Sequence, residues 1–398
     1  MEEQNIIFEV VPSKQNRRWN EIVHSFPHWD IYYLNEYAHS FEIHGDGEAF
    51  LIYFQYRGSV VEDESAWEGM NCAADHKASA KEINSVSENH DMRKWSSCRL
   101  CYVVMKKDIS ADEKFAGILS KDVWYDLETP YGYGGFLLQG IFAEQAREIF
   151  ECKMTAYAKE HRIVSQFVRF YPVYHNDVPY AQMTDSKVRY LRDTIYMDTT
   201  NKENIMANMD SKNRNMVRKA VKNNVTICHD KGEHLDEFIR IYEATMAHDH
   251  AARYYYFERE YYEYLIEHMK DHTEFFYSVC EGKYIGAAIF FYNQEYMHYH
   301  LSGMDAEYRF TAATNLLLYE AAVLACEKGI RLLHLGGGME AEDSLFGFKK
   351  QFNRQGRLPF HVGRTVYDQD AYEELMRLRK EADEAFDMGN NFMIQYRR

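Results

Sequence analysis

Residues 297–338 read MHYHLSGMDAEYRFTAATNLLLYEAAVLACEKGIRLLHLGGG, and this stretch decides the fold. Its first part, Met297–Ser302, has the aromatic and branched residues that are typical of a strand. The pattern then predicts a helix over Asn315–Lys328, capped by Gly329, and a second strand over Arg331–Leu335. The helix is apolar almost all round, so we expect it to be buried. A buried helix that joins two strands of one sheet predicts a right-handed crossover.

The segments before this crossover indicate an antiparallel meander. Three aromatic-rich strands are predicted in succession, joined by short turns: Phe275–Cys280, Tyr284–Tyr292 and Glu295–Ser302. The first half of the chain repeats this order. It predicts helices over 19–44, a hairpin of Ala49–Tyr56 with Arg99–Lys106, a strand at Trp124–Thr129, a helix at Phe142–Glu160 and a strand at Ile163–Tyr171. The two halves therefore share a topology.

The length of 398 residues exceeds what one core usually supports, which favours two domains. We predict an α/β (α+β) fold with domains at 1–200 and 201–398, each a mixed, mostly antiparallel sheet flanked by helices. A polar, Ser- and Asn-rich insertion at 57–97 interrupts the hairpin of the first domain. A C-terminal helix completes the second domain.

The composition excludes several classes of protein. The 62 acidic against 46 basic residues give a net charge of −16, which argues against DNA or other sequence-blind nucleic-acid binding. A local basic patch for one phosphorylated ligand stays compatible with this charge. No apolar run is long enough to span a membrane, and no secretory signal is visible, so we predict a cytoplasmic protein whose peripheral membrane contact is left open. The pair Cys98 and Cys101 has no second pair, which favours two ordinary thiols over a zinc site.

A glycine-rich loop, Thr129-Pro-Tyr-Gly-Tyr-Gly-Gly135, follows the predicted strand of the first half. Its glycines allow positive φ or close approach of a ligand, and Tyr131 and Tyr133 offer flat faces and hydroxyls. No phosphate-loop lysine follows it. The alternative is a tight turn that simply ends the strand.

A basic helix is predicted around Ser211–Lys222. Arg214, Arg218 and Lys222 fall within an arc of about 80° on this helix. Such a stripe suits a phosphorylated substrate, although a solvated helix face is an equally good interpretation.

A second cationic position lies in the segment 344–352. As a helix it places Leu345, Phe348 and Phe352 on one apolar stripe. Lys349 projects about 40° from Leu345, so its stem can be buried while its ammonium reaches a groove, whereas Lys350 points about 140° away.

The sequence gives little indication of a metal site or of a hydrolase active site. His298 and His300 share one strand face, which suits metal ligands or a base, but no third ligand is evident, and His334 fits a structural role. The sequence contains no Gly-x-Ser-x-Gly, HExxH or Walker A motif. We therefore predict no metal site.

Together these segments resemble the FemABX branch of the GNAT-like acyltransferases, which build peptidoglycan interpeptide bridges. The resemblance covers residues 30–368 and is carried by the order of six segments: WYDLETPYGYGG at 124–135, SKNRNMVRKA at 211–220, YHLSGMD at 299–305, NLLLYEA at 315–321, HLGGG at 334–338 and LFGFKKQF at 345–352.

The resemblance implies two tandem GNAT-like domains with an active-site channel in or between them. It implies transfer of an aminoacyl or acyl group to an amine of a phosphorylated cell-wall or surface-glycan precursor. No tightly bound cofactor is implied, and the co-substrate would be aminoacyl-tRNA or acyl-CoA. By the same likeness Arg214 holds a substrate phosphate, Lys349 lies near the transferred acyl group, and Tyr131 and Tyr133 line the channel. Arg218 and Asn315 complete the predicted substrate-binding residues.

The chain departs from the family pattern in two respects. It lacks the long coiled-coil arm of some bridge-building members, and the acyl-CoA loop appears as Arg309-Phe-Thr-Ala-Ala-Thr314, without its glycines. Asp305 joins Lys349 as a predicted catalytic residue, and Glu342 is a further candidate base. Two alternatives stay open: an acyl-CoA-dependent N-acyltransferase that acts on an amino sugar, and an inactive GNAT-like scaffold that binds a nucleotide-sugar or partner protein.

Overall fold

The computed structural model describes residues 5–58 and 97–398 and divides into two compact units. The first unit is Met1–Tyr190 with His361–Arg398, and the second is Leu191–Phe360. The predicted insertion at 57–97 lies almost entirely outside the described residues.

The described elements agree closely with the predicted ones and add several more. The strands are β1 (Ile6–Pro12), β2 (Glu48–Tyr56), β3 (Cys98–Asp108), β4 (Tyr125–Glu128), β5 (Leu137–Gly140), β6 (Ile163–Arg169), β7 (Ser186–Asp198), β8 (Val225–Asp230), β9 (Thr273–Cys280), β10 (Lys283–Tyr292), β11 (Tyr296–Met304), β12 (Leu332–Gly336) and β13 (Arg357–Val366). The helices are α1 (Asn16–His24), α2 (Asn35–His44), α3 (Glu144–Glu160), α4 (Asp177–Tyr180), α5 (Lys202–Asn208), α6 (Ser211–Lys222), α7 (Leu235–His248), α8 (Arg259–His268), α9 (Ala313–Glu327), α10 (Ser344–Lys350) and α11 (Gln369–Ala382).

The sheet of the first unit has the order β1-β2-β3-β4-β6-β13, with β5 also paired to β3. Its pairings are antiparallel except β4 with β6, which run parallel and are joined through α3. An aromatic core fills the space under α3. The rings of Phe54, Tyr102 and Phe136 lie within 5.1–5.6 Å of one another or of Phe150. This contact explains why the strands carry so many aromatic residues.

The second unit has the order β7-β12-β11-β10-β9-β8. The strands β9, β10 and β11 form the predicted meander. β11 and β12, which precede and follow α9 along the chain, pair with each other in parallel. α9 is buried along its length, with Leu318, Ala321 and Ala322 all inaccessible. The α/β fold class and the predicted connection of two parallel strands through a buried helix are therefore confirmed, while the right hand of the crossover stays a prediction. Each unit contains a meander followed by a parallel crossover.

The last strands are exchanged between the units. β7 follows β6 in sequence but pairs with β12, whereas β13 follows β12 but pairs with β6, from Val362↔Arg169 to Val366↔Ser165. For this reason α11 and the rest of 361–398 pack with the first unit, whereas the prediction placed them in the second domain. The sequence hides this exchange because most residues of β7 are only half-buried and β13 contains Pro359, so neither gives a strong strand pattern.

A buried ionic cluster fixes the C-terminal segment to the first unit. Asp126 on β4 is 1% exposed and accepts hydrogen bonds from the hydroxyls of Ser165 (2.8 Å) and Tyr396 (2.6 Å). Its other oxygen lies 2.8 Å from the Arg397 guanidinium, which also contacts Glu128 at 2.5 Å. The carboxylate of Asp126 is thus fully compensated in the interior.

Candidate active site

The parallel pair of the second unit opens after a short contact. Its pairing begins at Tyr296↔Leu332 and ends at His298↔His334. β11 continues well past this point to Met304, whereas β12 ends at Gly336, the first of three consecutive glycines. The two strands therefore leave a gap between the second half of β11 and the glycine segment.

Lys349 of α10 lies at this gap. Its side chain is almost completely buried, at 8% exposure, and its Nζ donates a hydrogen bond of 2.7 Å to the carbonyl of Gly337. The same Nζ lies 5.8 Å from the centroid of the Tyr299 ring, on the first residue of β11 beyond the pairing. Lys349 thus contacts both sides of the gap.

Burial changes the chemistry of this amine. Loss of hydration lowers the pKa of Lys349 to about 8, and the nearby carboxylate of Asp343 opposes part of that effect. His334 is also buried, which lowers its pKa well below the ordinary value, so it is neutral at pH 7. Near neutral pH the site therefore contains a desolvated ammonium that titrates close to physiological pH.

The glycine segment 336–338 is held by two further side chains. Arg192 donates through Nη1 to the carbonyl of Gly338 (2.7 Å) and to that of Met339. Asp343 accepts from the amide of Met339 and also caps α10 through the amide of Phe346 at 2.7 Å. Asp343 consequently joins the glycine segment to the helix that carries Lys349.

Gly338→Ala is expected to lower any turnover of this site by about tenfold or more, because an added Cβ would lie 2.0 Å from Asp343 Oδ1 and displace the cap of α10. Gly347→Ala on the same helix is the matched control, since its added Cβ meets no atom within 4 Å. Steady-state kinetics and far-UV circular dichroism of both variants check this. Equal turnover of the two variants would contradict it.

Asn315 lies in the first turn of α9 and is bonded to a residue that the sequence analysis missed. Its Nδ2 donates to Oδ1 of Asn213, on the first turn of α6, at 2.7 Å. Asn213 is fully buried, and its Nδ2 has no hydrogen-bond partner within the described part of the chain. The motif Ser211-Lys-Asn-Arg contains this residue, but the sequence analysis considered only the basic side chains of the helix.

Arg214 and Arg218 have different surroundings. Arg214 is half-buried and donates to the carbonyls of Met209 (2.5 Å) and Met206 (3.4 Å), so it holds the end of α5. Arg218 is exposed and contacts Asn215. Phosphate binding by Arg214 and Arg218 stays a prediction, and their present contacts give it no direct support.

Asp305 is occupied by structural contacts. Lys283 donates to its Oδ2 at 3.0 Å, and the amide of Glu307 donates to its Oδ1 at 3.1 Å. Partial burial raises the pKa of Asp305, but these two donors outweigh it and the net shift is downward. Glu342 is paired with Arg357 at 2.7 Å. Neither carboxylate has a recorded contact with Lys349 among the described residues, and their roles as bases stay predictions.

Tyr131 and Tyr133 lie in the first unit, on the loop between β4 and β5. The backbone carbonyl of Tyr131 accepts from the hydroxyl of Tyr37 at 2.5 Å, and the ring stacks on Phe41. The ring of Tyr133 packs edge-on against Tyr32, with centroids 5.7 Å apart. Both rings are half-buried, so each keeps part of its surface accessible.

The histidines of β11 are packed among other side chains. The rings of His298 and His334 are 6.0 Å apart, and His300 contacts the hydroxyl of Tyr261 at 2.9 Å. Burial lowers the pKa of His300 to about 3. Across residues 5–58 and 97–398, no group of three or more His, Cys, Asp or Glu side chains is arranged to hold a metal ion.

No helix in the described residues combines the length and apolar character needed to cross a membrane.

Comparison with known proteins places this fold among known ones. Residues 208–350 match the family model described as the acetyltransferase (GNAT) domain. The crystal structure of FemX is similar over 90% of this chain and 98% of its own, with a TM-score of 0.60 and 13% identity. Two less similar structures are the C-terminal domain (DUF2156) of a putative lysylphosphatidylglycerol synthetase from Agrobacterium fabrum (TM-score 0.46, 13% identity, 69% of this chain and 84% of that one) and a tandem GNAT protein of clavulanic acid biosynthesis (TM-score 0.43, 10% identity, 91% and 99%). A search of curated proteins gave no significant match.

The fold is therefore FemX-like, and the predicted resemblance to the FemABX branch of the GNAT superfamily is confirmed at the level of fold. The match to the GNAT domain model covers residues 208–350, and these include the open strand pair, the glycine segment and Lys349.

Proposed function

We propose that this protein transfers an aminoacyl or acyl group to an amine of a cell-wall or surface-glycan precursor, with Lys349 as its central catalytic residue. The observation that carries the proposal is the buried ammonium of Lys349 at the gap between β11 and β12. Within residues 5–58 and 97–398 this ammonium donates one hydrogen bond, to the carbonyl of Gly337, whereas an ammonium has three N–H donors.

The reaction is aminolysis of an activated acyl carbonyl. The acceptor amine forms a C–N bond to the carbonyl carbon, the carbonyl oxygen becomes an oxyanion, and the bond to the donor's oxygen or sulfur then breaks. The amine loses one proton and the leaving group takes one up, so the products are an amide and a free hydroxyl or thiol. Lys349 would donate to the oxyanion from a site that excludes water, where a charged donor is most effective.

The start of α9 favours an aminoacyl ester as the donor. The loop Arg309–Thr314 contains no glycine, and its residues Thr311 and Ala313 are 1% and 0% exposed. An acyl-CoA pyrophosphate that bound at this helix end would need accessible amides. The match to the acetyltransferase model supports the alternative, an acyl-CoA-dependent N-acyltransferase that acts on an amino sugar.

Parallel transfer assays separate the donors. The protein is incubated with radiolabelled aminoacyl-tRNA or with radiolabelled acetyl-CoA, and with an amine-bearing nucleotide-sugar precursor as acceptor. We expect label in the acceptor with aminoacyl-tRNA and much less with acetyl-CoA. The opposite ranking would establish the acyl-CoA alternative. Absence of transfer with either donor across a panel of amine acceptors would contradict the proposal.

A further inference from the structure

A groove in the first unit lies between α11 and the segment 383–398 that follows it, and its volume is about 640 Å³. One wall is α11, on which Asp370, Glu373 and Arg377 are about one turn apart and therefore share a face. The other wall belongs to the segment after α11 and includes Met388. None of the residues of the candidate active site lines this groove.

The segment that forms the second wall is fixed in place. Nε2 of Gln395 donates to the carbonyls of Met388 (3.2 Å) and Asn390 (3.1 Å). The backbone amide of Gln395 donates to the hydroxyl of Tyr372, on α11, at 2.9 Å. The guanidinium of Arg364, from β13, donates to the same hydroxyl at 2.9 Å. The two walls are therefore joined by hydrogen bonds, and the groove is pre-organised for binding.

Two methionines give the groove an apolar surface. Met376 lies on α11 and is buried, whereas Met388 on the opposite wall is 47% exposed. A groove that combines apolar side chains with a polar rim is typical of a protein interaction site. Methionine side chains are flexible and polarizable, so they adapt to partner side chains of different shape. The methionines therefore favour an amphipathic partner over a purely ionic one.

The rim of the groove is acidic. α11 contributes the carboxylates of Asp370, Glu373 and Glu374. The guanidinium of Arg377 also lines the groove, but it is already paired with Glu374 at 2.5 Å. Within the part of the chain that the structure describes, the carboxylate of Asp370 has no hydrogen bond or ion pair, and that of Glu373 accepts one bond, at 2.8 Å, from a glutamine side chain. Two carboxylates are thus available to pair with cations of a partner.

We propose that this groove binds a basic amphipathic helix of a partner protein. Apolar side chains of the partner helix contact Met376 and Met388, and its lysines or arginines, one turn away, pair with Asp370 and Glu373. The wall 369–377 of α11 is roughly 12 Å long, which suits a partner helix of about two to three turns. This interaction is independent of acyl transfer.

Fluorescence anisotropy with three labelled synthetic peptides tests the proposal on the full-length protein. The first is an amphipathic Leu/Lys helix, the second replaces its lysines by glutamates, and the third replaces its leucines by serines. We expect the Leu/Lys peptide to bind with a Kd of about 10 μM or below, and each of the others at least about tenfold more weakly. Absence of binding by the Leu/Lys peptide at about 100 μM would overturn the proposal. Equal binding of the serine peptide would show that charge alone suffices, as for a polyamine, and would also overturn it.

Glu373→Lys should weaken binding of the Leu/Lys peptide by about tenfold or more, because it places a like charge opposite the peptide's lysines. Glu148→Lys on α3 is the matched control, since it makes the same charge change at an exposed position outside the groove. Met388→Ser removes an apolar contact without a change of charge and should weaken binding about threefold or more. Far-UV circular dichroism checks that all three variants fold. If Glu373→Lys and Glu148→Lys weakened binding equally, the net charge of −16 would explain the affinity, and the groove would not be the site.

Discussion

Lys349→Met is expected to lower turnover by a factor of about 100 or more, while the protein stays folded. The expected loss is that of a single preorganised oxyanion donor. Methionine fills a similar volume without a charge, so the packing of α10 against the gap should survive. Radiolabelled acyl transfer by the purified variant measures the effect.

The same substitution should raise the stability of the second unit. The pKa of Lys349 is lowered to about 8 in the folded state, whereas an unfolded lysine titrates near its ordinary value. Between these values the unfolded chain binds more protons, so this residue makes stability rise with pH across that window. Below pH 8 both states are protonated, and the full penalty of burying the ammonium applies. Lys349→Met should therefore gain about 1–3 kcal/mol at pH 7 and less at pH 10.

The matched control is Lys350→Met. Lys350 is the next residue of α10 and is half-buried, so its loss removes the same formal charge from the same helix. We expect Lys350→Met to keep near-native turnover and stability. If both lysine variants lost activity equally, loss of one positive charge from α10 would explain the result, and the specific role of Lys349 would be refuted.

The pH dependence of turnover distinguishes an acid from a base at this position. If the ammonium of Lys349 is the active form, turnover falls as pH rises through about 8. Lys349→Arg keeps its charge at all these pH values, so its residual activity should lack that alkaline decrease. A native rate that instead rises through pH 8 would assign Lys349 as a base.

The second large effect is expected for Arg397→Met, at about 3–5 kcal/mol of lost stability in the first unit. Removal of the guanidinium leaves the buried carboxylate of Asp126 with only the hydroxyls of Ser165 and Tyr396 as recorded donors among the described residues. An uncompensated buried charge is among the strongest single destabilising effects.

Tryptophan fluorescence in urea reports this loss selectively, because all five tryptophans lie within residues 1–190. Arg398→Met is the control, since Arg398 is exposed and should change stability by less than about 0.5 kcal/mol.

The effect should depend on pH in a defined direction. Burial raises the pKa of Glu128, but Arg397 and Lys107 outweigh it and lower the pKa overall. The stabilisation by this pairing is therefore complete above the ordinary carboxyl range and is lost as pH falls through the lower folded-state pKa. The difference between native and Arg397→Met proteins should shrink on acidification, and a constant difference would argue against the ionic explanation.

Much of the fold could be predicted because its central elements have strong local patterns. The apolar α9 and the aromatic strands β9–β11 follow from periodicity alone. β13 could not be found in the same way, since Pro359 interrupts it and its partner β6 lies about half the chain away. The exchange of β7 and β13 depends on long-range pairing, which no local pattern encodes.

The candidate site, like the fold, could be predicted only in part from local sequence patterns. The burial of Lys349 agrees with the prediction, but the predicted apolar stripe is wrong at its first residue, because Leu345 is 40% exposed and Phe346 is buried instead. The hydrogen bond of Lys349 to Gly337 and the bond of Asn213 to Asn315 required the packed structure. For Arg214, helical geometry predicted the side of α6 on which the side chain lies. It could not predict that the guanidinium donates to backbone carbonyls at the end of α5.

The exchanged strands also set an order of assembly during synthesis. The second unit is one continuous segment, 191–360, and can close its sheet as soon as that segment has left the ribosome. The first unit cannot complete its sheet at that stage, because the edge of β6 stays unpaired until residues 362–366 are synthesised. The buried carboxylate of Asp126 likewise has no ion-pair partner until Arg397 is synthesised. The half that is synthesised first is therefore completed last, and until then its open strand edge is the part of the nascent chain most exposed to wrong pairing.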